Sequence, residues 1–196
     1  MLCVRLKPYE RACGGVTGGI GDAAIFDPND LDFTQETTDD TVGPYTAVAE
    51  RDGVDGRSVF VVSFQQDEAE WTFTQSKTGC ATKYEHEIVM QLPENSQALT
   101  NFLMALDAAG CCCGIGLIFR MNSGKAFVAG EKYVNGATIP RFTLAQDGTE
   151  GGSGKLFDDF NGANVHLKAS YSRNLNEYTG GWAAIEALME AGGSLS

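Results

Sequence analysis

The stretch "KYEHEIVMQLPENSQALTNFLMALDAAG" (Lys83–Gly110) changes its hydrophobic period halfway along. Tyr84, His86, Ile88, Met90 and Leu92 fall on one face of an extended chain. Lys83, Glu85, Glu87 and Gln91 fall on the other, the alternation of a strand with one wet side. After Pro93, Leu99, Phe102, Leu103 and Leu106 stand at i, i+3, i+4 and i+7, a single apolar stripe. Asn95 or Ser96 is a helix start and Gly110 a stop, which predicts a helix over 95–109. A half-wet strand that hands over to a one-sided helix implies a helix lying on a sheet.

Strand signals dominate on both sides of this stretch. Upstream, Tyr45–Glu50 and Arg57–Phe64 flank "RDGVDG" (Arg51–Gly56), whose Asp-Gly pairs suit a hairpin turn. Val59–Phe64 is almost continuously apolar, which suggests cover on both faces. In Glu70–Ser76, Trp71 and Phe73 oppose Thr72 and Thr74. Downstream, Gly114–Met121 and Lys125–Ala129 form a second hairpin across "NSG" (Asn122–Gly124). Ile139–Gln146 reads as another strand, and Ala163–Tyr171 alternates with Val165, Leu167, Ala169 and Tyr171 inward. Trp182–Glu190 reads as a short terminal helix with Trp182, Ile185, Leu188 and Met189 on one side. Met1–Thr41 reads as an extended arm with one short strand near Ala23–Phe26, because "GGVTGGIGD" (Gly14–Asp22) and the Asp27–Pro28 pair are turn signals. Deleting Met1–Ala23 is expected on this reading to leave the domain folded. The sum is a mostly β domain over 42–196, a β-sandwich or barrel of roughly eight strands with one packed helix.

Composition agrees. The chain has 196 residues, 43% hydrophobic and 20% charged, with 24 glycines, as expected for one turn-rich β domain. A chain of this size buries roughly 70% of its unfolded surface and needs no staples. The formal net charge of −12 disfavours tight binding to a phosphate backbone. Of the six cysteines, Cys111, Cys112 and Cys113 form one run and no C-x-x-C pair occurs, so a tetrahedral metal site is not indicated. Free thiols in a reducing compartment are the expectation. Leu2–Pro8 carries Arg5 and Lys7 without a long apolar core, unlike a secretory signal. No run is apolar over the ~20 residues that a membrane helix needs.

The chemistry-bearing candidates are isolated. "GGSGK" (Gly151–Lys155) departs from a phosphate loop at Thr149 and at Leu156, which removes the first glycine and the magnesium hydroxyl. "GGVTGGIG" (Gly14–Gly21) follows no strand and opens no helix, so it is no dinucleotide fingerprint. His86 lies on an apolar strand face and His166 on a polar one. Neither has a nucleophile or carboxylate at a meaningful local spacing. "DDFNGAN" (Asp158–Asn164) lacks the ligand spacing of a calcium loop. No catalytic residue, cofactor or metal is indicated.

The order of features resembles the tail tube, or major tail, proteins of tailed bacteriophages. The similarity lies in "ACGGV" (Ala12–Val16), in strand "KYEHEIVMQLP" (Lys83–Pro93) feeding helix "NSQALTNFLMALDAAG" (Asn95–Gly110), in hairpin "IGLIFRMNSGKAFVAG" (Ile115–Gly130), and in a glycine-rich segment before "NGANVHLKASYSR" (Asn161–Arg173). The Cys111–Cys113 run and the terminal helix are not family features. The resemblance implies a virion protein, made in the host cytoplasm, whose homo-hexameric rings stack into a tube. DNA and the tape-measure protein pass through the tube, and its ends meet terminator, neck and baseplate proteins. It implies lumen-facing hairpins, with Asp52, Asp55, Asp67, Glu68, Asn122 and Lys125 as candidates. It also implies an inter-ring arm, with Cys13, Gly14, Gly15, Asp27 and Pro28 as candidates. The alternatives are another ring-forming virion sandwich (baseplate, hub or head decoration) and a carbohydrate-binding module using Trp71, Trp182 or Tyr133.

Overall fold

The computed structural model describes residues 18–38, 41–52, 58–64, 68–112, 114–130, 142–145, 148–153, 160–171 and 173–190. Along the chain these form β1 (Ile20–Phe26), β2 (Leu31–Thr38), β3 (Thr41–Glu50), β4 (Val59–Val62), β5 (Ala69–Thr78), β6 (Ala81–Pro93) and α1 (Gln97–Cys112). Then come β7 (Gly116–Met121), β8 (Ala126–Ala129), β9 (Thr143–Leu144), β10 (Glu150–Gly152), β11 (Gly162–Tyr171), β12 (Asn176–Tyr178) and α2 (Trp182–Glu190). The chain is mostly β, with curled sheets and two helices.

Two sheets face each other. The larger runs β2-β3-β12-β8-β7-β1-β4 and the smaller runs β10-β11-β6-β5, with β9 also paired to β11. Between them lies the main core. Ile20, Ala23, Leu117 and Phe119 of the larger sheet meet Ile88, Met90, Val165 and Leu167 of the smaller, with Leu106 of α1 at one end. The alternation in β6 and β11 falls as the sequence predicts: His86, Ile88, Met90 and Leu92 are buried, as are Val165, Leu167, Ala169 and Tyr171. The far face of the larger sheet is covered by α2, whose Ile185 is fully buried against Ala24, Tyr45, Val59, Ile118 and Val128. Trp182, Leu188 and Met189 pack there too, so the side expected to face inward does so.

Helix α1 starts where its cap predicts. Ser96 Oγ accepts the Leu99 amide at 3.2 Å, which satisfies one of the amides left over in a first turn. It does not stop at Gly110. The stop is Gly114, whose φ of +73° suits only glycine without strain and whose amide reaches the Ala109 carbonyl at 2.7 Å.

Three expectations change. Residues 20–38, read as part of an arm, are strands β1 and β2. β1 sits between β7 and β4 in the larger sheet, and its Ile20 and Ala23 are core residues. A deletion of Met1–Ala23 therefore removes core side chains, and residues 1–17 lie outside the described residues. Second, Tyr45–Glu50 and Arg57–Phe64 are not a hairpin. β3 pairs with β2 and β12, whereas β4 pairs with β1 at the opposite edge of the sheet. The Asp-Gly pairs signal a turn, but a local turn signal does not choose the partner strand; burial of distant faces does. Third, cover on both faces is fullest in β1 and β7, where Ala23, Leu117 and Phe119 face one core and Ala24 and Ile118 the other. β4, equally apolar in sequence, buries only Val59 and Val62, one toward each core, and lies at the end of the strand order.

Candidate assembly surface

Among the described residues no strand pairs with the outer side of β4, and an apolar strand at such an edge is unusual, because charge or proline commonly blunts it. β4 has neither. Phe60 is 44% exposed and Val61 59%, while their neighbours Val59 and Val62 are buried. Phe60 and Val61 border a groove of about 410 Å³ between this edge and α1, lined also by Ile25, Phe102, Leu106 and Ile115. One wall ends at Asp27, in the turn between β1 and β2. Asp27 Oδ1 accepts both the backbone amide and the side-chain amide of Asn29, at 2.8 and 2.9 Å. Asp30, just beyond, has its carboxyl held above the usual carboxylate range. Burial is the chief cause, followed by the charge of Asp27; Arg51 opposes, and Glu50 adds to the rise. Of these two carboxyls, Asp27 lies at the wall of the groove.

The second exposed apolar feature is the β5–β6 hairpin. The strands pair from Ala69↔Met90 to Thr78↔Ala81, closed by Gly79 and Cys80. Gly79 has φ +61°, the conformation that a tight hairpin demands at its first loop position. β11 accompanies β6 only as far as Tyr84, so among the described residues the last three rungs have no third strand, about 10 Å of two-stranded ribbon. Phe73 lies on the inward side of this hairpin and is 47% exposed. It touches the rings of Trp71, Tyr84 and His86. From Trp71 to Tyr84 the sequence holds Lys77 and Lys83 and no acidic residue. Lys83 is paired with Glu85 at 2.6 Å, whereas Lys77 has no ion-pair partner among the described residues.

At the root of the hairpin, His86 is buried among Trp71, Phe73, Tyr84 and Tyr171. Its Nδ1 accepts the Trp71 indole N–H at 3.2 Å. Burial pushes the imidazole below its ordinary pKa, and the Arg173 backbone acts in the opposite sense. His86 is therefore a core side chain held neutral.

The outer face of the smaller sheet is polar. His166 Nδ1 and Lys168 Nζ each lie 3.4 Å from Glu87 Oε1; Lys168 is the direct cross-strand partner of Glu87, and His166, opposite Val89, reaches it diagonally. A groove of about 550 Å³ continues from His166 past Asn164, Gln91 and Glu70 to Gly18 and Asn122. Among the described residues no phenylalanine, tyrosine or tryptophan lines it, and none of the lining residues is a serine, threonine or cysteine. Among the described residues no group of three or more His, Cys, Asp or Glu is placed to hold a metal ion. No described helix is long and apolar enough to cross a membrane.

The residues singled out from sequence scatter. Asp52 is exposed in the turn after β3, and Glu68 is exposed just before β5. Asn122 sits at the β7–β8 turn, where its amide and side chain bond the Gly19 and Gly18 carbonyls at 3.1 and 2.9 Å. Lys125, just before β8, the middle strand of the seven, pairs with Glu177 at 3.2 Å. Asp27 and Pro28 form the β1–β2 turn, with Pro28 buried. Asp55, Asp67, Cys13, Gly14 and Gly15 lie outside the described residues, as does Tyr133. Trp71 is a core-rim residue against Phe119 and Phe127, and Trp182 lies under the Arg120 guanidinium, 5.3 Å from the ring centre. Neither is an open stacking platform. Sequence reasoning missed Phe60, Val61, Phe73 and Lys77. The acid-free run from Trp71 to Tyr84 was the available signal for the last two. Compared with family models, with curated proteins and with solved structures, the chain matches none of them.

Proposed function

We propose that this chain is a self-assembling structural subunit, a phage tail tube protein whose copies form six-fold rings stacked into a DNA-conducting tube. The observation that carries the reading is the unblunted β4 edge, with Phe60 and Val61 exposed beside a half-exposed helix face. An apolar edge strand left open is a liability in a monomer and a joint in an assembly. The fold class agrees with the reading, since tube subunits are β-sandwiches with a flanking helix. The net charge of −12 fits a channel wall along which DNA slides without being gripped.

Electron microscopy of the purified full-length chain over a concentration series tests this. The expected image is stacked rings with a central channel. Rings that never stack would favour a baseplate, hub or decoration protein. A monodisperse monomer at every concentration and ionic strength would overturn the reading.

A further inference from the structure

We propose that the joint is heterologous: the β5–β6 hairpin of one copy seats in the groove between β4 and α1 of the next. The inference rests on the self-assembly reading above and names its interface. The occupant is argued from complementarity. The outer part of the hairpin, the finger, is free of acidic residues in an acidic chain, with half-exposed Phe73 and with Lys77, which has no ion-pair partner among the described residues. The groove is an apolar slot lined by Phe60, Val61, Phe102 and Leu106, and one wall ends at Asp27. Spacing is compatible as well. Lys77 stands four residues, about 14 Å, from Phe73 on the same side of its strand. Asp27 stands two residues, about 7 Å, beyond Ile25, the cross-strand partner of Phe60. The flexible four-carbon stem of a lysine spans the difference.

Both surfaces exist on every copy and are different patches, so the contact runs head to tail. Such contacts close into rings or propagate as filaments. An isologous contact would stop at a dimer.

The test uses two full-length variants. Phe73→Ser/Lys77→Glu removes the finger, and Phe60→Ser/Val61→Asp removes the slot. All four substitutions fall on exposed side chains, and circular dichroism confirms that each variant is folded. Each alone is expected to lose assembly, with association weakened at least about thirtyfold, the loss from leaving one large apolar side chain unburied. Mixed one to one, they retain one intact finger and one intact slot between them. Sedimentation velocity should then show a 1:1 dimer that grows no further.

Failure has separate signatures. Wild-type chain that never assembles sinks both readings. Wild-type assembly matched by the finger variant sinks the finger–slot joint and leaves the assembly reading standing. Folded, monomeric variants that stay monomeric when mixed also overturn the joint. A finger variant that assembles normally but loses retention of duplex DNA would make the hairpin a nucleic-acid contact instead.

Discussion

His86 shows how one residue sets a pH limit on the fold. Its imidazole is buried among four aromatic rings and accepts from Trp71, so the neutral form is favoured. The folded-state pKa lies below the unfolded value of about 6.5. Below that value the unfolded chain binds a proton that the folded chain resists, so stability falls as pH drops. Above it the two states bind protons alike and stability is level. The slope is at most about 1.4 kcal/mol per pH unit for one such group. Thermal melts of the wild type should therefore decline from pH 7 to pH 5.5, before most carboxylates titrate. His86→Gln, which keeps an acceptor for Trp71 and cannot be protonated there, should flatten that decline even if its absolute stability is lower. An unchanged slope would show that His86 is charged in the folded state.

At the scale of elements, the helix caps and strand faces carry the local information. Ser96→Ala removes the acceptor for the Leu99 amide and should lower stability by about 1 kcal/mol, read as a shift in urea midpoint with unchanged m. The elements that were legible from sequence are those whose residues decide their own environment. β6 and β11 alternate cleanly, α2 has one apolar side, and the β7–β8 hairpin carries its turn within three residues. The illegible ones depend on distant partners. β2 is polar except for Leu31 and Phe33, because an edge strand buries only alternate residues on one side. It therefore read as a loose arm. β4 looked like a covered strand because hydrophobicity is visible in a sequence and sheet order is not. Its position at the edge follows from β1 and β7 pairing across some ninety residues. The candidate surface was hidden for the same reason: Phe60 and Phe102 belong to one groove only after that order is set.

For the whole molecule, charge decides how readily copies meet. At a net −12, subunits repel at long range, and the Debye length of about 30 Å at 0.01 M salt lets that repulsion act. At 0.15 M it shrinks to about 8 Å. Repulsion between whole subunits is then largely screened, while apolar burial of Phe73 and Phe60 is unaffected by that screening. Assembly followed by light scattering should accordingly rise from 0.01 M to 0.15 M salt. A fall over this range would mean that the Lys77–Asp27 attraction outweighs the long-range repulsion between subunits.

The chain carries two tryptophans, and their settings differ. Trp182 opens α2, packs on the far face of the larger sheet and lies under Arg120. Trp71 stands at the foot of the β5–β6 ribbon with Phe73 beside it, half open to solvent. Its indole thus reports hydration at the place where a neighbouring copy would expel water. On the proposed joint, unlabelled protein carries its own optical gauge of polymer growth.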